Sequence, residues 1–429
     1  MLFVFSVDCG SNAISNVKLR GAQVALSFAA GDVHLQNVEV SNSLTVLSVA
    51  FNASLQLSDC RFHDNRVVLE SVRDIWHINV SSCVFMRNQK PLRLREVRYV
   101  GVEDSRFSDN TQSSYIWAYR YPVALSVKRS RFDNDEVTIT ARRNAHLSAS
   151  VEDCIFNSSA LTLVVQGYRR SSILVDKSTF NASRITASLA SQGLNLSIVA
   201  SSFRRMVNRY RGAVEVTASY LSSAQSVVIT DNVFEQNSGA PCIRFDLLSV
   251  SSNVKPGGIS IVGNRFTNHS GSNVIVINDR AYYHVQLRRN AFQNPLCPYE
   301  IEVQSSWKSG YAINSSENWW GSANRTYVAG RVSDFFADSK KAEVSITSVY
   351  ADPELTQLEI FPELRTWNVI GGKLVGGQLD RNVTLTSSSA PYLVSKTIYI
   401  PKGFYLHVEE NVTLHFAENR GVVVEGKSI

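Results

Sequence analysis

Four charged pairs recur at near-regular intervals in the chain: Glu103-Asp104, Lys128-Arg129, Glu152-Asp153 and Asp176-Lys177. Acid/base chemistry on a sugar needs two carboxylates, or a carboxylate beside Lys or Arg, converging on one exposed face. If those intervals stack the pairs, Lys128-Arg129 lies between two acidic pairs, a cluster suited to an anionic glycan. The same stack also reads as a surface ladder of alternating charge that holds register, each exposed pair contributing about 0–1 kcal/mol. The charge ladder is the expectation, and the acid/base cluster is its competitor.

Other chemistries have weaker support. The six cysteines (Cys9, Cys60, Cys83, Cys154, Cys242, Cys297) include no CxxC pair, and the eight histidines show no HxxxH or HxH spacing. No metal or cofactor is therefore expected. The densest basic stretch, Arg204, Arg205, Arg209 and Arg211, reads as a solvated edge. A net charge of +6, from 43 basic and 37 acidic residues, does not call for nucleic acid. With 429 residues, 44% hydrophobic and 19% charged, the chain can bury a sizeable core. No apolar run reaches the roughly 18 to 20 residues of a membrane span, and the opening MLFVFSVDCG is too short for a signal peptide's apolar segment.

The elements that would position these groups are written as a repeat. LQLSDCRFHDN at 55–65 returns as INVSSCVFMRN at 78–88, VGVEDSRFSDN at 100–110, and onward to VQLRRNAFQNP at 285–295. The shared aromatic falls at Phe62, Phe85, Phe107, Phe132, Phe156, Phe180, Phe203, Phe234, Phe266 and Phe292, in steps of 22 to 32 residues. Seven and five residues before it stand apolar, mostly β-branched residues such as Ile78 and Val80, or Ile259 and Ile261. Two-residue spacing marks a strand with one buried face, and helical periodicity is absent.

A strand-only coil of this length, with one residue type per column, predicts an all-β right-handed parallel β-helix, or solenoid. About a dozen coils over 1–317, stacked at the interstrand spacing, would make a rod roughly 55–60 Å long. The column two before the aromatic is small or polar: Cys60, Cys83, Ser105, Ser130, Cys154, Ser178, Ser201, then Asn232, Asn264, Asn290 and Asn318. An inward turn residue accounts for it, since stacked asparagines can bond to one another and to turn backbone. Cys60 and Cys83 then belong to the column without a disulfide, whereas Cys242 and Cys297 could pair or stay free.

After Asn318 the repeat breaks at Trp319-Trp320-Gly321. A closing cap and linker are expected over 318–365, and the start of a second β-helix unit, truncated, over 366–429, where short alternating strands are split by glycine turns. Open solenoid ends on both sides suggest a piece of a longer protein.

These residues resemble the bark beetle family of large epithelial cell-surface proteins. The resemblance rests on the coils with their N-x-F turn, on Asn318-Trp319-Trp320-Gly321 followed by Arg331-Val332-Ser333-Asp334 and Asp352-Pro353-Glu354-Leu355, and on the restart from Gly371-Gly372 through Pro391-Tyr392-Leu393-Val394 to Ile398-Tyr399-Ile400. It implies extracellular β-helix units of a single-pass protein that organises contacts where epithelial cells meet. The expected partners are other cell-surface or junction proteins, or the protein itself, and no nucleic acid.

Sequons at Asn52, Asn79, Asn157, Asn181, Asn195, Asn268, Asn314, Asn324, Asn382 and Asn411 fit an extracellular glycoprotein. Asn79 and Asn314 fall between buried columns and should point outward. Polysaccharide lyases, hydrolases and epimerases also use β-helices. However, the outward column six before the aromatic (His34, Gln56, Asn79, Gly101, Ser126 and onward) holds no Asp, Glu, Lys or Arg. The expectation is a non-enzymatic adhesion scaffold at the outer face of the plasma membrane, in a cell junction. The alternative is a polysaccharide-acting enzyme or glycan binder.

Overall fold

The computed structural model describes residues 4–425 except 6–10, 29–30, 50–52, 72–74, 168, 191–192, 220–225, 249–257, 281, 307–310, 361–367 and 371–372. Asn52, Cys9 and Gly371-Gly372 lie outside the described residues.

Each coil lays down three strands, as in Val67–Ser71, Ile75–Ser81 and Val84–Met86, before Lys90–Arg95 opens the next. Corresponding strands of successive coils pair in parallel and build three long sheets of 14, 14 and 12 strands. Sheet 1 contains Val67–Ser71, sheet 2 Ile75–Ser81 and sheet 3 the three-residue Val84–Met86. The chain is thus a parallel β-solenoid, as its columns predict. Register follows the sequence alignment: Ile78 lies beside Leu55 and Val100, and Phe85 beside Phe62 and Phe107.

Sheet 3 is short because a left-handed residue bends the chain at each of its ends. Ser82 and Arg87 have φ of 53° and 51° around Val84–Met86, and Asp104 and Asp109 have 51° and 53° around the next copy. The N–H of each bend residue donates across to the next coil, as from Asp104 to the Lys128 carbonyl at 3.1 Å. This bond offsets the cost of left-handed backbone in a non-glycine residue.

The aromatic column is fully interior. From Phe85 to Phe292 neighbouring rings stack with centroids 4.5–5.1 Å apart and planes within 15°. The interstrand repeat of about 4.8 Å sets that spacing, and because rings touch at about 3.5 Å the stack must be offset, the arrangement aromatic pairs prefer.

Stacking continues past Asn318. Trp320, fully buried, packs on Phe292 with centroids 5.2 Å apart. Val332–Ser333 then extends sheet 1 and Glu343–Ser345 extends sheet 2. Residues at which the sequence suggests a cap therefore supply rungs of their own. The antiparallel pair Ser348–Tyr350 with Leu358–Ile360 comes after them. Leu374–Gln378, Tyr392–Ile400, Leu414–Phe416 and Val422–Val424 make a further parallel set around Val375, Leu385, Val394 and Ile398. This set meets the solenoid where the Phe335 ring stands edge-on to Tyr399 at 5.8 Å and the Thr397 N–H donates to the Phe336 carbonyl.

Candidate functional site

The charged turn pairs stack as the sequence intervals require, and all of their residues but Asp153 are ion-paired. Arg129 Nε and Nη2 donate to the two carboxylate oxygens of Asp104 at 2.9 and 3.0 Å, and Nη2 also reaches Glu103. Lys128 Nζ lies 3.3 Å from Glu152, and Lys177 Nζ lies 3.5 Å from Asp176. Arg129 holds the Asp104 carboxyl below its ordinary range, and the Ser150 hydroxyl does the same for Glu152. A general acid would need a raised pKa, so this geometry fits a register-holding ladder better than a proton relay.

The polar turn column forms a continuous interior ladder. Each side chain accepts from the backbone N–H of its counterpart one coil earlier: Cys83 to Ser105 Oγ at 3.1 Å, Ser178 to Ser201 Oγ at 3.0 Å, Ser201 to Asn232 Oδ1 at 2.8 Å. Asn232, Asn264, Asn290 and Asn318 continue it, each Nδ2 also donating at 2.8 Å to a sheet 2 carbonyl of the preceding coil. An N–H just past a left-handed bend has no partner in the sheet, so the column must carry an acceptor atom. Cys60, Cys83, Cys154, Cys242 and Cys297 are all free thiols. Burial pushes the Cys154 thiol up to about 11 and Cys297 up to about 12, which keeps both unreactive.

A second ladder of the same design lies three residues after the aromatic, where no single residue type recurs throughout. Ser43, Asn65 and Asn88 donate their N–H to Asn65, Asn88 and Asn110 Oδ1 at 2.9, 3.0 and 2.8 Å. The Asp135 and Ser159 N–H groups continue it to Ser159 and Ser183 Oγ at 3.0 and 2.9 Å. Its residue types vary (Asn, Asp, Ser, Met206, His269), which hides the column. Asp135 is the one buried carboxylate among those rungs, and burial pushes it up to about 7 against the opposing Asn110 amide.

At the end of the solenoid, Arg331 and Asp334 explain part of the motif that follows the tryptophans. Arg331 pairs with fully buried Glu300 at 2.8 Å and donates to the Asn294 and Cys297 carbonyls at 2.6 and 2.7 Å. Asp334 accepts from the Val344 N–H at 2.9 Å. Trp319 bridges Ala291, and Gly321 turns the chain at φ 86°. Asp352 accepts from the Thr356 and Gln357 N–H groups at 3.0 and 2.8 Å, closing a turn.

Of the sequon asparagines, Asn195, Asn268, Asn324, Asn382 and Asn411 are exposed, while Asn79, Asn157, Asn181 and Asn314 are half-buried. Asn157 Nδ2 donates to Asp133 at 2.7 Å and Asn181 Nδ2 to Asn157 at 3.1 Å, so these two amides belong to an outer column of sheet 3. The Asn324 side chain caps Arg325–Gly330 through the Tyr327 N–H. Among the described residues no group of three His, Cys, Asp or Glu could hold a metal ion, and no helix is long and apolar enough to cross a membrane.

Fold and ladders together define a β-solenoid rod stabilised by interior aromatic and amide stacks. The chain is similar to Protein bark beetle of Drosophila melanogaster, 27% identical over 149 residues, a stretch that is 33% of this chain and only 5% of that protein's length. No family model matches the sequence, and no solved structure matches the chain.

Proposed function

We propose that this chain is part of a non-enzymatic extracellular scaffold that organises contacts between epithelial cells, on the plasma membrane at a junction. The observation that carries the reading is the unbroken stack: aromatic and polar ladders run through successive coils, and a rod held by them can present surfaces at fixed spacing. The bark beetle similarity supports the junction setting, and five exposed sequons support a glycosylated, extracellular chain. The ion pairs at Glu103, Asp104, Glu152 and Asp176 favour a scaffold over an enzyme, because these carboxylates are already engaged by Arg129, Lys128 and Lys177. Partners would be other junction proteins or further copies of the same protein.

The test is localisation of the tagged full-length protein in epithelial cells beside a junction marker, with a glycosidase mobility shift on the same lysate. Concentration at cell corners with a shift supports the proposal. An unglycosylated intracellular protein sinks it. The alternative, action on a polysaccharide, is tested by release of reducing ends or unsaturated products from anionic glycans, with Glu152→Gln and Asp176→Asn as controls.

A further inference from the structure

In sheet 2 the outward column six before the aromatic carries no charge, and the Glu103, Lys128, Glu152 and Asp176 column beside it is ion-paired, but the outer face of sheet 1 is different. Between the coils of Lys90 and Arg184 lies an open cleft of about 800 Å³ along the corner where the turn after sheet 3 enters sheet 1. It crosses five rungs, hence about 19 Å at the interstrand repeat. Lys90, Arg93, Arg95, Tyr115, Glu136 and Arg184 line it.

Three features point to a ligand. First, the cations are under-used: Arg93 pairs with Glu70 at 2.9 Å, but among the described residues no carboxylate pairs with Lys90, Arg95 or Arg184. The Arg184 Nε is buried without an acceptor in the protein. Second, Tyr115 and Trp117 alternate outward on Ser114–Ala118, in register with Arg93 and Arg95. Arg95 lies over the Trp117 ring at 5.5 Å, and the Trp117 Nε1 is a second buried donor without an acceptor. Third, Thr138, Thr162 and Thr186 form a hydroxyl row on the same face, in register with Tyr115. Glu136 accepts from Ser113 and Thr162 at 3.0 and 3.2 Å and forms no ion pair with these cations.

We infer that this cleft binds an anionic oligosaccharide, with a sugar ring against Tyr115 and carboxylates or sulfates at Lys90, Arg95 and Arg184. Guanidinium groups suit planar oxyanions, and aromatic faces suit the C–H faces of sugars. An acidic peptide fits less well. Every sheet 1 rung here is paired on both sides, so no strand can add, and the cleft is lined mainly by polar and charged residues. The inference stands independently of the junction role.

The test is calorimetric titration of the purified chain with a heparin oligosaccharide, a hyaluronan oligosaccharide and neutral dextran. Binding of either anionic glycan, weakened by salt and absent for dextran, is expected. The two anionic arms separate sulfate from uronate recognition. Arg95→Ala/Arg184→Ala should weaken binding by about tenfold or more, since each lost charge-assisted bond is worth more than a neutral one. Arg209→Ala/Arg211→Ala, at the basic edge elsewhere, should leave it unchanged. Circular dichroism and melting of each variant report folding separately. No binding to either anionic glycan overturns the inference. So does binding that the folded Arg95/Arg184 variant retains in full, or that both double variants lose equally.

Discussion

The backbone N–H of Asn232 and its own Nδ2 both donate to Oδ1 of Asn264, each at 3.0 Å, from one coil to the next. One oxygen satisfies two buried donors 32 residues upstream in the chain. Where the ladder changes from serine to asparagine, the side chain gains the amide donor that also reaches the sheet 2 carbonyl. The polar column is therefore part of the backbone bonding of the solenoid.

Removing that oxygen should be costly. Asn264→Leu keeps the branched shape but leaves the Asn232 N–H and one amide hydrogen buried without their acceptor. A loss of about 2–4 kcal/mol is expected, because an orphaned buried donor forfeits its full desolvation energy. Urea unfolding followed by far-ultraviolet circular dichroism measures it. Asn264→Ser, which restores an acceptor as in the earlier coils, should lose clearly less. An unchanged midpoint for the leucine variant would refute the ladder's role.

Asp135 makes stability depend on pH in the direction opposite to a salt-bridged carboxylate. Its folded pKa, about 7, lies above the unfolded value of about 3.9, so the folded state holds the proton more tightly. Its contribution is full below about pH 4, falls as pH rises towards 7, and is level above that. Asp135→Asn should flatten this slope and raise stability at pH 8 by about 2–4 kcal/mol. Melting temperatures from pH 4 to 8 in both proteins decide it, and parallel curves would contradict the assignment.

Arg331 and Glu300 form a buried pair. Arg331→Met leaves Glu300 and the Asn294 and Cys297 carbonyls without their cation, an expected loss of about 3–5 kcal/mol. Adding Glu300→Gln should recover most of it, since the damage is chiefly the stranded charge. A double variant no more stable than the single one would show that the lost carbonyl contacts dominate instead.

Glycan occupancy should follow amide freedom. Peptide-level mass spectrometry of protein from a secretory host is expected to find Asn195, Asn268 and Asn411 more fully occupied than Asn157 and Asn181. A glycan on either of the latter would break the outer column that runs through Asp133. Equal occupancy would mean that the folded column has no influence on modification.

What could be read from the residues alone is what identical stacking makes repetitive. An in-register parallel stack places equal positions of successive coils side by side about 4.8 Å apart. A column that must be buried, aromatic or acceptor-bearing is therefore written many times, and the alternating apolar positions, Phe62 to Phe292 and Cys60 to Asn318 could all be recognised. The charge ladder at Asp104 and Arg129 was legible for the same reason. The second ladder was not, because Asn, Asp and Ser all supply an acceptor and so no single residue type marks it. The addition of rungs beyond Trp320, and the cleft over Arg95, Tyr115 and Arg184, were decided only in three dimensions. Both depend on where turns of unequal length deliver the chain to sheet 1, and each is set by packing between coils rather than by any local pattern.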